Sequence, residues 1–170
     1  MSVHRFGAIE RFAFEIDVEP DEDAQGHAHL SMRARGIRLG AADRVEMLDT
    51  LLSGLARFLG QLQPAPPEFA GLSAAQLFDD MLSVLQDPHP DRPDYPWDRA
   101  HRYQRLQLLP NGCCSFDGEW AFLLCEPTRD RLIVRGYLCA SVQEVFLDAD
   151  EVASVARAVL RHPWRRPGTT

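Results

Sequence analysis

Two histidines, His27 and His29, stand two positions apart just after a run of carboxylates. Glu15, Asp17, Glu19, Asp21, Glu22 and Asp23 fill six of nine consecutive positions there. In an extended chain, residues i and i+2 project from the same face, so the two imidazoles share one side of a strand. That spacing suits a metal ion if the nearby acids supply a third and fourth ligand; it suits a solvent-facing polar pair equally well. No other His, Cys or Asp cluster in the chain has metal-ligand spacing, and neither a metal nor a cofactor is expected.

The remaining reactive residue types form no recognisable catalytic arrangement. Ser115 lies in no G-x-S-x-G, and the glycines of "GIRLG" (36–40) lack the G-x-G-x-x-G that cradles phosphates. Cys113, Cys114, Cys125 and Cys139 include no C-x-x-C pair and read as small buried hydrophobes or free thiols in a reducing compartment. All 18 basic residues are arginine, so lysine chemistry is excluded. Asp117, Glu119 and Glu126 surround Trp120, and carboxylates beside an aromatic can serve glycoside hydrolysis. Asp117–Gly118 is, however, also a strong turn dipeptide, expected to separate "CCSF" from "EWAFLL" as a tight hairpin. No catalytic residue is assigned.

The acidic run therefore carries most of the functional question. The formal charge is −7, and residues 15–23 hold six of those negative charges with no base among them. Such a run is either the polar loop of a hairpin, for which Pro20, Asp21, Asp23 and Gly26 suffice, or a field that steers a cationic partner. The rest of the chain is nearly neutral, which argues against nucleic acid or an anionic membrane as the main partner. The start has no apolar signal region and no apolar run reaches membrane-spanning length, so a cytoplasmic protein is expected.

Periodicity supplies the elements that would position these groups. "ERFAFEIDVE" alternates, with Phe12, Phe14, Ile16 and Val18 on one face, and "HAHLSMRARG" continues the alternation, so the two read as a hairpin with a longer loop. "GIRLG" is a short third strand, completing an N-terminal meander. Asp43 and Glu46 resemble a capping pair opening an amphipathic helix through Leu51, Leu55 and Phe58 to Gly60. Ser73 caps a second helix to about Leu85, and the proline-rich "DPHPDRPDYPWDR" is an extended loop. The segments "YQRLQLL", "SFDGEWAFLLCE", "DRLIVRGYL" and "VQEVFL" read as a C-terminal four-strand meander. Asp148 with Glu151 then opens a closing helix, and residues 163–170 form a frayed tail. The expected fold is one α+β domain over residues 1–170. Its sheet is mainly antiparallel and twisted, the two β regions join, and the helices pack on one face.

The order of these pieces resembles the small immunity proteins of bacterial polymorphic-toxin and contact-dependent competition systems. The likeness rests on Gly36 to Gly40 before "DRVEMLDTLLSGLARFL", on Asp117–Gly118–Glu119–Trp120, and on "VFLDADEV" opening the last helix. Against that pattern residues 64–98 look like an inserted helix and loop. The resemblance implies a cytoplasmic protein that binds a cognate toxin domain, one with a basic surface, and occludes its active site without catalysis. Partner-binding residues are then expected at Glu15, Asp17, Glu19, Asp21, Glu22 and Asp23, with Tyr95 and Trp97 as aromatic anchors. Arg33, Arg35 and Arg38 form a counter-patch able to pair with the acids. An intracellular adaptor or secretion chaperone is the alternative, and a small metal-dependent hydrolase using His27 and His29 is a third reading.

Overall fold

The computed structural model describes residues 2–18, 26–40, 44–86, 94–109, 114–136 and 141–164. Alternation builds the first sheet. In β2 (Phe12–Val18) the side chains of Phe12, Phe14 and Ile16 face inward and are at most 1% exposed, while Glu15 and Asp17 face the other way. β1 (Ser2–Ala8) and β3 (His27–Ala34) flank β2, both antiparallel to it. The far edge of β3 pairs with β4 (Ile37–Leu39) at one end and β5 (Val45–Met47) at the other, giving five strands. The β3–β4 turn places Arg35 (φ 45°) and Gly36 (φ 88°) both at positive φ, the backbone that a tight two-residue hairpin requires. At Gly40 (φ 99°) an added Cβ would lie 2.3 Å from the Leu30 carbonyl oxygen, so only glycine lets the chain leave β4 against β3.

The second sheet runs β6 (Trp120–Cys125), β7 (Arg129–Arg135), β8 (Gln143–Asp148), again antiparallel. Its apolar runs are buried on both faces. Ala121, Leu123, Leu132 and Val134 join a core with the inner face of the first sheet, α1 (Leu48–Gln61) and α4 (Glu151–Arg161). Phe122, Leu124 and Ile133 turn to a second core with α2 (Ala74–Leu85) and α3 (Trp97–Leu106). Each buried Val, Leu, Ile or Phe side chain among these contributes roughly 1.5–3 kcal/mol of transfer free energy. The α+β class with antiparallel strands holds.

Several local expectations do not. The two β regions form separate sheets: β1, unread in the sequence, and β5 complete the first one, and the sheets meet through side chains rather than a shared strand ladder. The C-terminal meander has three strands, because residues 103–106 of "YQRLQLL" finish α3; Ala100, Tyr103 and Leu106 recur at three-residue steps on its buried side. Only Gln107 makes a bridge, to Phe122. Asp117–Gly118 closes a 3₁₀ turn (Cys114–Phe116) rather than a hairpin. Glu46 sits in β5, one pair before α1 begins without a side-chain cap, and Asp43 lies outside the described residues. At α4 the N-cap is Asp150 (φ 65°), and the Glu151 carboxylate accepts the Asp148 N–H. Ser73 caps α2 as expected, in a reciprocal box with Gln76.

Candidate functional site

The strand register lays out the outward face of the first sheet in rows. Val3, Asp17, His29 and Val45 stand side by side across β1, β2, β3 and β5. The next row toward the β3–β4 turn holds Arg5, Glu15 and Ser31, and the one beyond it Gly7, Ala13, Arg33 and Arg38. His27 and Met47 form the last row on the opposite side, next to where residues 19–25 join the strands. None of these residues belongs to either core cluster. Val3 is 61% exposed, and Val45 and Met47 are also exposed, so an apolar rim surrounds a charged centre. A groove of about 320 Å³ opens there between Val3, Asp17, His29, Arg33 and Arg38.

Glu15 is not a free carboxylate. Arg33 Nε donates to one of its oxygens at 2.5 Å and Arg5 Nη2 to the other at 3.0 Å, and its side chain is only 14% exposed. The Arg33 hydrogen bond, supported by that of Arg5, holds the carboxyl below the usual glutamate range although burial pushes it upward. Asp17, one row away, is different: its Oδ1 is buried with no hydrogen-bond partner among the described residues. Arg38 is exposed and makes no ion pair among the described residues. Of the counter-patch, Arg33 thus pairs with Glu15, while Arg38 pairs with no acid among the described residues. Glu19, Asp21, Glu22 and Asp23 lie outside the described residues.

Tyr95 and Trp97 are brought together, but not with the acids. The Tyr95 hydroxyl donates to the Val84 carbonyl at 2.6 Å, its ring rests on the second core, and Trp97 stands edge-on to it at 4.7 Å. Trp97 is 44% exposed. Below it, Arg99 and the Tyr103 hydroxyl both donate to Asp80, tying α3 to α2. Burial would raise the Asp80 carboxyl, yet the bonds from Tyr103 and Arg99 keep it below the ordinary aspartate value.

The catalytic alternatives find no geometry. His27 and His29 do share a face, with His29 Nδ1 3.2 Å from the Arg44 carbonyl, but no group of three or more potential ligands assembles among the described residues. Glu119 accepts the Gly40 N–H at 2.5 Å and Asp117 pairs with Arg44, so these acids fasten the 3₁₀ turn to the first sheet. Cys125 is a free thiol; burial, then the neighbouring Asp130 carboxylate, pushes it up to about 12, which leaves it protonated and inert at neutral pH. Asp130 is 2% exposed, and burial raises its carboxyl while the backbone N–H groups of Asp150 and Val152 at the start of α4 partly offset that.

Sequence reasoning missed Val3, Arg5, Val45 and Met47 on this face. Val3 and Arg5 alternate with His4 and Phe6, a signal too short and too polar to read as a strand, and the β5 residues were absorbed into the helix start.

The fold is similar to that of a solved structure. The crystal structure of CdiI from Burkholderia dolosa AUO158 superposes with a TM-score of 0.68 over 92% of this chain and 98% of that one, at 18% identity. No curated protein matches the sequence. The family profile described as Immunity protein 42 matches residues 1–162, and with that span of 170 residues covered, the chain belongs to the Immunity protein 42 family.

Proposed function

We propose that this immunity protein neutralises its cognate toxin by covering the toxin's active site with the outward face of the first sheet, without catalysis of its own. The observation that carries the reading is the asymmetry of the two sheets: the apolar runs of β6 and β7 in the second are buried on both faces, while the first leaves one face outside both cores. That face displays Val3, Val45 and Met47 around Asp17 and its neighbours, the apolar-and-charged composition of a recognition surface. Between β2 and β3 in the sequence stand four further acids, Glu19, Asp21, Glu22 and Asp23, which suit a basic toxin surface. A standard interface would cover ~800 Å² on each partner. We place the complex in the cytoplasm; among the described residues no helix is long and apolar enough to cross a membrane. Trp97, on the other core, is a second anchor only if the interface extends to α3.

The experiment is co-expression of the polypeptide encoded immediately upstream, with and without this chain, in a bacterial host. Killing by the neighbour alone, and survival with a stable complex when both are present, is the expected result. A toxin that remains active inside a stable complex would overturn occlusion and point to an adaptor.

A further inference from the structure

We infer that Trp164, beyond the end of α4 and on the inner side of the first sheet, is a positioning residue for toxin binding: it clamps the edge strand β1 from behind, so that Val3 and Arg5 are presented on the outward face. This rests on the proposed use of that face. Residues 163–170 are expected from the sequence to fray; Trp164 does not, and residues 165–170 lie outside the described residues. His162 stands before Pro163, which drives it to extended backbone (φ −65°, ψ 134°) and turns the chain off the helix axis. A tight turn follows, in which the Trp164 backbone N–H donates to the His162 carbonyl at 2.8 Å. The Trp164 indole Nε1 donates to the Val159 carbonyl at 2.9 Å, and Val159 lies in the last turn, whose carbonyls have no N–H four residues ahead within the helix.

These bonds hold the indole over β1, its centroid 5.2 Å from the His4 ring and 5.6 Å from that of Phe6. His162 adds a second ring, 4.7 Å from His4 and 5.3 Å from Phe6, and the two clamping rings are 4.5 Å apart. All five spacings lie in the attractive range for aromatic pairs. Phe6 and Trp164 also pack on the first core, and Val155 of α4 lies close against Gly7 further along the strand. The strand needs such a hold. β1 ends the strand order, so its ladder runs to β2 alone, and an edge of this kind opens at less cost than an enclosed strand. Alternation turns His4 and Phe6 inward on either side of Arg5, which points outward with Val3. Whenever β1 opens, Val3 and Arg5 leave the face together, and apparent affinity falls with the fraction of molecules in which the strand is seated.

The test separates positioning from bulk stability. Binding to the immobilised upstream-encoded polypeptide would be measured by surface plasmon resonance, at a temperature where thermal unfolding shows every variant to be native. Trp164→Ala should weaken binding by roughly 10-fold, and amide hydrogen exchange should accelerate in β1 while β6 and β7 stay protected. Trp164→Phe, which keeps a ring over His4 and Phe6, should bind within about 2-fold of the unaltered chain. Phe78→Leu, in the second core, is the control: it should lower the melting temperature and leave affinity alone. Val3→Ser should weaken binding less in the Trp164→Ala background than alone, because β1 is already unseated there. Unchanged affinity for Trp164→Ala, or an equal loss for Phe78→Leu, makes Trp164 a purely structural residue and overturns the proposal while leaving the immunity reading intact. Weakened binding with β1 exchange unaltered, or full additivity with Val3→Ser, means that Trp164 touches the toxin itself and also overturns it. Should Trp164→Ala fail to fold, Trp164→Leu carries the same comparisons. No binding by the unaltered chain overturns the reading it rests on and the proposal with it.

Discussion

The two sheets share antiparallel topology and differ in what lies over them. In the second, residues 121–124 and 132–134 are no more than about 1% exposed in either direction, because one face meets the first sheet's core and the other meets α2 and α3. In the first, Phe12, Phe14 and Ile16 of β2 are buried while Glu15 and Asp17 are only partly so, and of the outward set only the small Ala13 is fully buried; Arg5, Glu15 and Arg33 hold that set in order. Apolar runs enclosed on both sides, as in β6 and β7, leave their residues little room to vary. A sheet enclosed on one side keeps a polar set whose composition the core does not dictate, and that set is where recognition can be written.

Substitution can break this contrast or sharpen it. Phe122→Ala, in the enclosed sheet against Phe78 and Trp120, should lower stability by ~3–5 kcal/mol in denaturant unfolding. Arg5→Ala, on the open face with a side chain 54% exposed, should cost at most ~1 kcal/mol by the same measurement. Equal losses would mean that the open face is as structural as the closed one.

Titration provides a finer contrast. Glu15 is held below the ordinary carboxylate value, so its contribution is present above that value and disappears as pH falls through the folded one; Glu15→Gln should blunt the loss of stability on acidification. Asp130 is raised instead, so the native state is favoured below the ordinary aspartate value and loses ground as pH rises through the folded one. Asp130→Asn should therefore flatten that decline. Melting temperatures across pH 3 to 8 would separate the two, and parallel profiles would refute the difference in environment. The smallest effect is expected for Trp97→Ala, with toxin association unchanged; a marked loss would move the interface toward α3.

Much of the molecule was legible in the sequence for a physical reason. The alternation of Phe12, Phe14 and Ile16, the Ser73–Gln76 box and the three- and four-residue spacing of Leu51, Leu55 and Phe58 each encode a period that one element satisfies. What escaped lacked such a period. β1 and β5 are edge strands with only half an apolar pattern, and α3 carries three arginines and a histidine in ten residues, which hid the spacing of Ala100, Tyr103 and Leu106. The site was half legible. The position of Glu15 and Asp17 on one strand face follows from alternation, whereas the pairing of Glu15 with Arg5 and Arg33 depends on strand register, which a single chain reading does not supply.

The period of two also limits how such a protein can diverge. Inserting or deleting one residue within β2 or β3 would turn Phe14 and Ile16 to water and Glu15 and Asp17 into the core, so length changes inside these strands are lethal to the fold. New specificities must then arise by point substitution at alternate positions, or by lengthening the connection between Val18 and His27, where loop closure grows more costly only slowly with length. Lineages tracking a changing toxin should accordingly show outward residues in rapid turnover beside inward neighbours that scarcely move, and gaps in their alignment confined to that one connection.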